Sequence, residues 1–358
     1  MATTNYPAGR RDCPETPTIG IMNKPLSVAG VLYNAYEPVE GRSDEALSER
    51  AVETAAEQAA SALVSQGVRA PLFPLKQSLR ELIDWVQAES PDVVVNLCEG
   101  FRGQPRFEAN VAGVLELLEV PFTGNPARAL FQCQDKFGAK SILQAAGLPV
   151  PQGWLVATPD ELPAALPYPL MVKPNAEDAS IGIDSDSVVS TPEALAERVR
   201  QVVRRYRQDA LVEAYIDGRE FNVGVVDDPA PRALPVSEIV FEGFPAGVPR
   251  IVSYAAKWKE DHDLYRRTVP SCPAVLAPDL AAALQALALR AYRVMQLRGY
   301  ARIDFRLDAR ERPFILEVNP NPDASRTAGL ARAWMAGGRP YEEFWMSQLA
   351  AAVSGRRN

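Results

Sequence analysis

Short apolar segments alternate with amphipathic segments through the first hundred residues of the chain. TPTIGIM, VRAPLFPL and PDVVVNLCEG are apolar over the length of a strand, which predicts three strands, the last of them buried on both faces. Residues 43–65 and LRELIDWVQAE repeat apolar positions at helical spacing, which predicts two helices between those strands. This order is typical of a small parallel sheet with ligand groups at the carboxyl ends of its strands. No GxGxxG follows the first strand, so a dinucleotide site is not predicted.

Beyond Gln134 the pattern indicates further helices and strands. Gly147 and Pro149 end a helix in DKFGAKSILQAAGLPVP, and TPDELPAAL predicts another helix with Thr158 as its N-cap and Glu161 completing a capping box. YPLMVKP and DALVEAYI predict strands that flank a helix beginning at TPEALAERV. A mixed, largely antiparallel sheet is predicted from REFNVGVV, RALPVSEIVF, RIVSYAAKW, YARIDFRL and PFILEVN, with the helix DLAAALQALALRAYRVM packed on it.

Length and charge narrow the classes of protein that fit this pattern. A chain of 358 residues is long for one hydrophobic core and predicts two or three packed domains. Its net charge of −7 opposes a nucleic-acid surface, which needs a basic patch, but leaves binding of small anions open. No apolar stretch has the length of a signal sequence or a membrane span. We therefore expect a cytoplasmic protein with no nucleic-acid or membrane partner and with a disordered leader in residues 1–16.

Histidine and cysteine usage excludes several kinds of site. His262 is the only histidine, so a histidine base or a histidine-ligated metal is not predicted. The four cysteines are scattered without a CxxC pair, which argues against a disulfide framework and a structural zinc site. Acidic and basic side chains are left as the candidates.

The hairpin RIDFRLDARERPFILEVNPNPD, residues 302–323, carries carboxylates inside apolar strands. Strand alternation places Arg302, Asp304 and Arg306 on one face, where Glu317 and Asn319 join them from the second strand. In the same alternation Ile315 shares that polar face, and Phe314, Leu316 and Val318 form the apolar face. Two carboxylates and a carboxamide suit Mg²⁺, a hard cation that keeps further sites for water and phosphate oxygens. The alternative is a solvated face on which arginine and aspartate pair.

Other charged positions are weaker candidates when each is taken alone. Lys173 ends a strand and could meet phosphate as a point charge, and the polar loop NAEDASIGI follows it with Ser180. Glu213 and Glu220 lie at and beyond the end of a strand, where carboxylates could accept bonds from a base and a sugar. Lys257 and Trp258 lie in a highly charged segment that is typical of a mobile loop. Each of these could equally be a solvated surface residue.

Six motifs occur in one order: GVLELLEVPFTG, DKFGAK, VKPNAEDASIG, LVEAYIDGREFNV, YAAKW and RIDFRLDARERPFILEVNPNP. In that order, over roughly residues 90 to 330, the chain resembles the ATP-grasp carboxylate-amine ligases, and among them the D-alanine:D-alanine ligase family. The resemblance implies an α/β chain, α+β in its C-terminal half, with the ATP-grasp fold. It implies a Rossmann-like (pre-ATP-grasp) domain at residues 17–130, a central subdomain at 131–216 and a C-terminal subdomain at 217–350.

The resemblance also implies a role for individual residues. Lys136, Lys173 and Lys257 would bind the phosphates of ATP, and Glu220 would bind its ribose. The adenine would be bound by Glu213 and by the backbone of Ala214, Tyr215 and Ile216. Asp304, Glu317 and Asn319 would hold two Mg²⁺ ions, or Mn²⁺. Arg302 would stabilise an oxyanion, and Lys257 and Ser180 would also be catalytic residues. The implied reaction makes an acyl phosphate from a carboxylate and ATP, and an amine then displaces phosphate. Residues 175–182 and 254–268 would form the lid, and the family also implies a homodimer.

Departures from the family pattern lie at substrate positions. The N-terminal glycine-serine-acid motif is replaced by MNKPLSVAG with no acidic residue, and the His-Gly near the third strand by LCEGFRG with Cys98 or Glu99. The usual Gly-Ser-Ser becomes Asp178, Ala179 and Ser180, the lid tyrosine is Trp258, and the Ser-Leu pair for the second carboxylate aligns with Ala328 and Gly329. We therefore expect amino-acid-like small molecules other than two D-alanines, with Arg326 binding a carboxylate, Glu99 or Glu108 receiving an amine, and Trp258 in contact with substrate.

Three alternatives stay open at this point. One is a D-alanine:D-alanine ligase with a rearranged pocket. Another is a nucleotide-binding regulatory protein without turnover, although the set Arg302, Asp304, Glu317 and Asn319 argues against it. The third is a phosphotransferase whose product contains no new amide.

Overall fold

A small parallel sheet forms the first part of the fold. The computed structural model describes residues 26–35 and 46–354. Its first sheet has the order β2-β1-β3, with β1 (Ala29–Asn34), β2 (Leu72–Leu75) and β3 (Val93–Leu97) all parallel. Helices α1 (Ala46–Ser65) and α2 (Leu79–Glu89) connect these strands; β2, β3 and both helices fall where the pattern predicts them, whereas β1 was not predicted. The predicted strand TPTIGIM and residues 43–45 of the predicted first helix lie outside the described residues.

Helices lead from this sheet to a second, antiparallel one. They are α3 (Glu108–Leu117), α4 (Ala127–Gln134) and α5 (Lys136–Ala145). The second sheet has the order β4-β7-β5-β6 and consists of β4 (Gly153–Val156), β5 (Leu170–Pro174), β6 (Val188–Val189) and β7 (Ala210–Ala214). Helix α6 (Pro192–Tyr206) begins after Thr191, whose side chain accepts from the Ala194 N–H. It packs against β5 and β7, so one face of the sheet is covered.

The predicted helix in TPDELPAAL is wrong, because the structure has only a single 3₁₀ turn at Pro159–Glu161. Glu161 accepts from the Ala157 N–H at 3.0 Å, but the predicted N-cap Thr158 makes no side-chain cap bond, so the predicted capping box does not form. Leu162 is extended, with ψ of 148°. Pro163 follows it, and a proline disfavours the helical conformation of the preceding residue, so the turn cannot continue.

The third sheet carries most of the candidate chemistry. Its main path has the order β11-β10-β8-β12-β13, made of β8 (Glu220–Asp227), β10 (Ser237–Phe241), β11 (Thr268–Ser271), β12 (Tyr300–Leu307) and β13 (Pro313–Asn319). The short β9 (Pro231–Ala233) pairs with β8, and α9 (Pro278–Val294) packs on this sheet. The prediction of a strand at RIVSYAAKW is wrong: α7 (Tyr254–Trp258) forms there, followed by α8 (Asp263–Arg266). Ser253 caps α7 by accepting from the Ala256 N–H, which favours a helix start at this point.

A β-bulge interrupts the alternation in the β12–β13 hairpin. Asp304 pairs with Glu317, but Phe305 pairs with Ile315, so Leu316 is the extra residue. The predicted faces of β13 are therefore wrong on the turn side of the bulge: Ile315 is fully buried in the core, and Leu316 lines a cavity instead. On the other side of the bulge Glu317 and Asn319 keep the predicted face with Asp304 and Arg302.

Two C-terminal helices return to the first sheet. Helices α10 (Gly329–Ala336) and α11 (Tyr341–Ser354) contribute to the hydrophobic core of α1, β1 and β3, in which Trp334 and Trp345 are fully buried. Asn125 ties the parts together, because its amide donates to the carbonyls of Tyr300 and Pro320. Within the described ranges, every helix is too short or too polar to cross a bilayer.

Candidate active site

A cavity of about 840 Å³ opens where residues of all three sheets meet. Fourteen of the predicted site residues line it: Glu99, Lys173, Ser180, Glu213, Ala214, Tyr215, Ile216, Glu220, Lys257, Trp258, Arg302, Asp304, Glu317 and Asn319. Lys136 is buried behind the wall and reaches it through an ion pair with Glu317. Residues that are scattered over more than two hundred positions of the chain thus converge on one space.

The two carboxylates of the hairpin face each other across β12 and β13. Arg302 makes a two-pronged ion pair with Asp304, at 2.7 and 2.8 Å, and Asn319 donates its amide to the same carboxylate at 2.9 Å. Among the described residues no three His, Cys, Asp or Glu side chains form a metal cluster, so a metal here would also need the Asn319 amide oxygen. Two carboxylates and one amide oxygen on rigid strands fit Mg²⁺, which takes few protein ligands and keeps several waters.

Lys136 joins the hairpin to the loop that follows β5. Its ammonium group lies 2.8 Å from Asp178 and 2.8 Å from Glu317, and it donates to the Glu177 carbonyl at 2.6 Å. Burial works to lower the pKa of Lys136, but the two carboxylates outweigh it and raise that pKa. Burial likewise works to raise the pKa of Glu317, yet Lys136 and Lys173 lower it to about 2. The site therefore holds a buried ammonium ion that bridges the carboxylates of Asp178 and Glu317.

A second buried ion cluster surrounds Glu213. Lys173 lies 2.8 Å from one of its carboxylate oxygens, and Lys140 bonds to the other. Burial works to raise the pKa of Glu213, but both lysines lower it, whereas burial lowers the pKa of Lys140 to about 8. The sequence interpretation missed Lys140, although its position four residues after Lys136 on α5 places both on one helix face.

The segment after β7 links the second and third sheets. The N–H groups of Ala214 and Tyr215 donate to the carbonyls of Gln152 and Pro169, so these two amides already have partners. Arg306, which was predicted only as part of the polar face, donates to Glu220 at 2.8 and 2.9 Å and to the Ile216 carbonyl at 2.9 Å. It thereby fixes the relative positions of the predicted adenine and ribose residues.

The two predicted lid segments are in contact with each other. The indole of Trp258 donates to the Ala179 carbonyl at 3.0 Å, and the Tyr254 N–H donates to the Ile183 carbonyl at 3.0 Å. Ala179 and Ser180 have left-handed backbones, with φ of 54° and 63°, a conformation unfavourable for residues with a Cβ atom. Lys257 lies 5.2 Å from the Trp258 ring centre, and burial followed by Arg302 lowers its pKa.

Buried Glu108 lines the end of the cavity nearest the first sheet. Asn321 donates to it at 2.9 Å and also to the Cys98 carbonyl at 3.0 Å. Burial, with Asp178 next in effect, raises the pKa of Glu108 to about 8. Glu99 lies nearby, and its N–H donates to Asn34 at the end of β1.

Two sequence-based expectations about substrate residues are corrected. Arg326 does not line the cavity: it pairs with Glu342 and lies 4.8 Å from the Tyr341 ring centre. The end of MNKPLSVAG begins β1, whose first two residues are Ala29 and Gly30, and the strand TPTIGIM predicted before it lies outside the described residues. The chain after β1 contains several acidic residues within positions 36–45, outside the described residues, so the expected absence of an acid loses its basis.

Comparison with known proteins identifies the family. The family model "D-ala D-ala ligase C-terminus" matches residues 143–349. The D-alanine–D-alanine ligase of Gluconobacter oxydans is 34% identical over 85% of this chain and 96% of its own length, and that of Bordetella pertussis is 33% identical over 93% and 97%. An uncharacterized protein of Sinorhizobium fredii is 34% identical over 71% of this chain and 72% of its own.

Solved structures agree with this fold. The D-alanine–D-alanine ligase of Bacillus anthracis complexed with ATP covers 92% of this chain and 99% of its own, with a TM-score of 0.72 and 19% identity. The enzyme of Coxiella burnetii covers 93% and 95%, with a TM-score of 0.70 and 17% identity. The predicted α/β ATP-grasp fold is confirmed. The chain therefore belongs to the D-alanine–D-alanine ligase family of ATP-dependent, amide-forming ligases.

Proposed function

We propose that this protein joins a carboxylate to an amine through an acyl phosphate, with substrates other than two D-alanines. One observation supports the chemistry above all: Lys173, Lys257, Arg302 and the hairpin ligands line one cavity, which Lys136 reaches from behind. Cations there meet phosphate charge, and the carboxylates can hold a metal ion that bridges it.

ATP would bind along the wall between the second and third sheets. Lys136 and Lys173 would contact its phosphates, Glu213 and the Ile216 backbone its adenine, and Glu220 its ribose. Both lysines already have carboxylate partners: Lys136 pairs with Asp178 and Glu317, and Lys173 pairs with Glu213. Phosphate oxygens would therefore enter by exchanging places with carboxylates, which keeps each ammonium paired throughout.

The hairpin face that carries Asp304, Glu317 and Asn319, here called the metal face, would act on the transferred phosphoryl group. Asp304, Glu317 and Asn319 would hold Mg²⁺, which when bound neutralises charge on the phosphate oxygens. Arg302 would turn part of its two-pronged contact from Asp304 toward the reacting centre. Asn319 helps to hold Asp304 in place through its amide.

The reaction would proceed in two displacements. An oxygen of the substrate carboxylate attacks the γ-phosphorus, and the bond to ADP breaks. The amine nitrogen then attacks the acyl carbon, and phosphate leaves with the bonding electron pair as the amine loses a proton. Arg302 would stabilise the oxyanion formed between these events, and Lys257 the phosphoryl oxygens. Contact between Trp258 and the Ala179 carbonyl would keep water from the acyl phosphate.

Altered substrate positions support a different substrate. Asp178 and Ala179 replace the first two residues of the usual Gly-Ser-Ser, and Ala328 has no hydroxyl where the family's serine is expected. Buried Glu108 adds a carboxylate to the cavity wall. The ATP and metal positions, in contrast, keep the residue types that the family pattern requires.

D-alanine–D-alanine ligation is the second candidate function. The observation that favours it is the similarity to ligases of that name, 33% identical over 93% of this chain in the Bordetella pertussis case. A pocket that has changed its residues while keeping its substrate would be consistent with both observations.

Incubation of the purified protein with ATP, Mg²⁺ and pooled D- and L-amino acids tests both candidates. Phosphate release and the masses of amide products would be followed, with Asp304→Asn as the inactive control. An amide other than D-alanyl-D-alanine supports the proposal, and D-alanyl-D-alanine as main product supports the second candidate. If hydroxylamine, which traps acyl phosphates as hydroxamates, gives no product with any carboxylate offered, ligase function is contradicted.

A further inference from the structure

Formation of the amide releases a proton from the attacking nitrogen, and no residue assigned so far accepts it. Carboxylates are the side chains of the cavity wall best suited to do so, since the lysines and arginines there already carry protons. Five of these carboxylates form ion pairs with lysines or arginines: Asp178, Glu213, Glu220, Asp304 and Glu317. A carboxylate that is paired with a cation is a weaker base, so we expect the acceptor among the other acids of the wall.

Asp323 is a cavity acid that acts on both cations of the proposed reacting centre. Against the effect of burial, Asp304 and, more weakly, Asp323 raise the pKa of Arg302. Burial and then Arg302 lower the pKa of Lys257, and Asp323 is the acid that opposes them most. Two further acids of the wall lie at the end of the cavity nearest the first sheet, Glu99 and Glu108. Asp323 therefore lies beside the place where Arg302 and Lys257 would meet the reacting groups.

The carboxylate of Asp323 is held in a fixed direction. One of its oxygens accepts from the Ser325 N–H at 2.8 Å, and the Ala324 carbonyl accepts from the Tyr341 hydroxyl at 2.9 Å. Pro322 and Ala324, on either side of it in the chain, are buried. Within residues 26–35 and 46–354 no other donor or cation is bonded to this carboxylate, so its second oxygen is available to a ligand. A rigid support and one available oxygen are what an accurately placed proton acceptor requires.

We propose that Asp323 is the general base of amide formation: its second carboxylate oxygen accepts a hydrogen bond from the acceptor amine and then takes the amine proton. This inference rests on the proposed ligase function. As the N–C bond forms, the nitrogen becomes positively charged and acidic, while negative charge develops on the acyl oxygen beside Arg302. Asp323 takes the proton from that nitrogen, phosphate leaves with the electron pair of the C–O bond, and Asp323 then returns the proton to solvent.

Competition between two nucleophiles tests the assignment. The protein would be incubated with ATP, Mg²⁺, the pooled D- and L-amino acids and hydroxylamine, which attacks acyl phosphates without a catalyst. Amides then report the second displacement, and hydroxamates report formation of the acyl phosphate. Asp323→Asn should lower kcat for amide formation by at least about 100-fold, because a general base usually contributes that much or more. In excess hydroxylamine, hydroxamate formation by this variant should stay within about twofold of the wild-type rate.

Asp323→Asn keeps an oxygen that can accept from the Ser325 N–H, and Asp323→Glu, which keeps the carboxylate, should recover part of the lost rate. Asp279→Asn, an exposed acid in the first turn of α9, is the control and should change neither product. Parallel loss of amides and hydroxamates in Asp323→Asn would overturn the inference, since that is the behaviour of a structural residue. A loss that disappears at high concentrations of the pooled amino acids would also overturn it, because the residue would then only bind substrate.

The wild-type protein provides a test that does not depend on the folding of a variant. In D₂O the ratio of amides to hydroxamates should fall by at least about twofold, because amide formation passes a proton to the protein and the uncatalysed trapping does not. An unchanged ratio would overturn the inference. Absence of hydroxamates with the wild-type protein would instead contradict ligase function itself.

Discussion

The carboxylate of Asp178 lies 2.8 Å from the ammonium group of Lys136, the residue proposed to contact ATP phosphate. Lys136 is buried, whereas about half of the Asp178 side chain is exposed. In the proposed binding mode this carboxylate would compete with an ATP phosphate for the same cation.

Asp178→Asn should therefore bind ATP more tightly, by roughly two- to fivefold, since pairs with an exposed partner contribute up to about 1 kcal/mol. Calorimetric titration with ATP and Mg²⁺ measures the change. Asp186→Asn, in the exposed turn that follows the same loop, serves as control and should leave the dissociation constant unchanged. Weaker binding by Asp178→Asn would mean that this carboxylate assists ATP binding.

Lys257 is proposed to stabilise the transferred phosphoryl group. Lys257→Met should lower kcat by at least about 100-fold, the usual size of the effect when a transition-state donor is lost, with a smaller change in ATP affinity. Phosphate release under saturating substrates gives kcat. Lys259→Met removes an exposed lysine two residues further along and should retain wild-type turnover. Retention of full turnover in Lys257→Met would remove this residue from the mechanism.

The metal face predicts a specific dependence on Mg²⁺. Glu317→Gln keeps the side-chain shape but loses a charged ligand, so half-maximal activity should need at least about tenfold more Mg²⁺. Activity titrated against Mg²⁺ after treatment with EDTA provides the measurement. Glu311→Gln, in the exposed turn of the same hairpin, should follow the wild-type curve. An identical curve for Glu317→Gln would show that this carboxylate is not a ligand.

Glu108 predicts a pH dependence of stability. Burial, with a smaller effect of Asp178, raises the pKa of Glu108 to about 8, so between about pH 5 and 8 the folded protein holds a proton that the unfolded chain has released. The free energy of unfolding contributed by this group is fully present at low pH and falls as the pH rises through that window. Because the side chain of Glu108→Gln stays uncharged, the free energy of unfolding of this variant should fall less over the same window, by on the order of 1–3 kcal/mol.

Urea unfolding at pH 5.5 and pH 8 would measure that difference. The groups that interact with Glu108 include Cys98, Glu99, Cys133, Lys136, Asp178, Tyr300 and Asn321, and they are present in both proteins compared. Glu193→Gln changes an exposed glutamate at the equivalent first turn of α6 and should keep the wild-type slope. An unchanged slope in Glu108→Gln would mean that this carboxylate titrates normally.

Local patterns predicted the elements of the fold well where apolar spacing was regular. LRELIDWVQAE gives α2 with the predicted bounds, and PFILEVN gives β13. The failures have local causes that periodicity cannot detect: Pro163 stops a capped turn, and Ser253 starts a helix in a segment predicted as a strand. The bulge at Leu316 depends on cross-strand pairing, which one strand's pattern does not specify.

The order of the motifs identified most residues of the candidate site, but it could not show which side chains face the cavity. Arg326 and Arg332 lie six residues apart, yet only Arg332 faces the cavity. Lys140 and Arg306 were missed as site members because their role is to pair with Glu213 and Glu220, a relation that requires the packed structure. The roles assigned to individual site residues stay predictions until the variants above are measured.

Helix α11 follows all the other described elements in the sequence but packs on α1 and β3 of the first sheet. During synthesis, the first sheet therefore leaves the ribosome long before the helix that covers its apolar face. A fragment that stops before Tyr341 would leave the Trp345 site empty and much of that core open to water. Nascent chains of this protein should accordingly expose part of this apolar core, and be prone to aggregation, until α11 has been made.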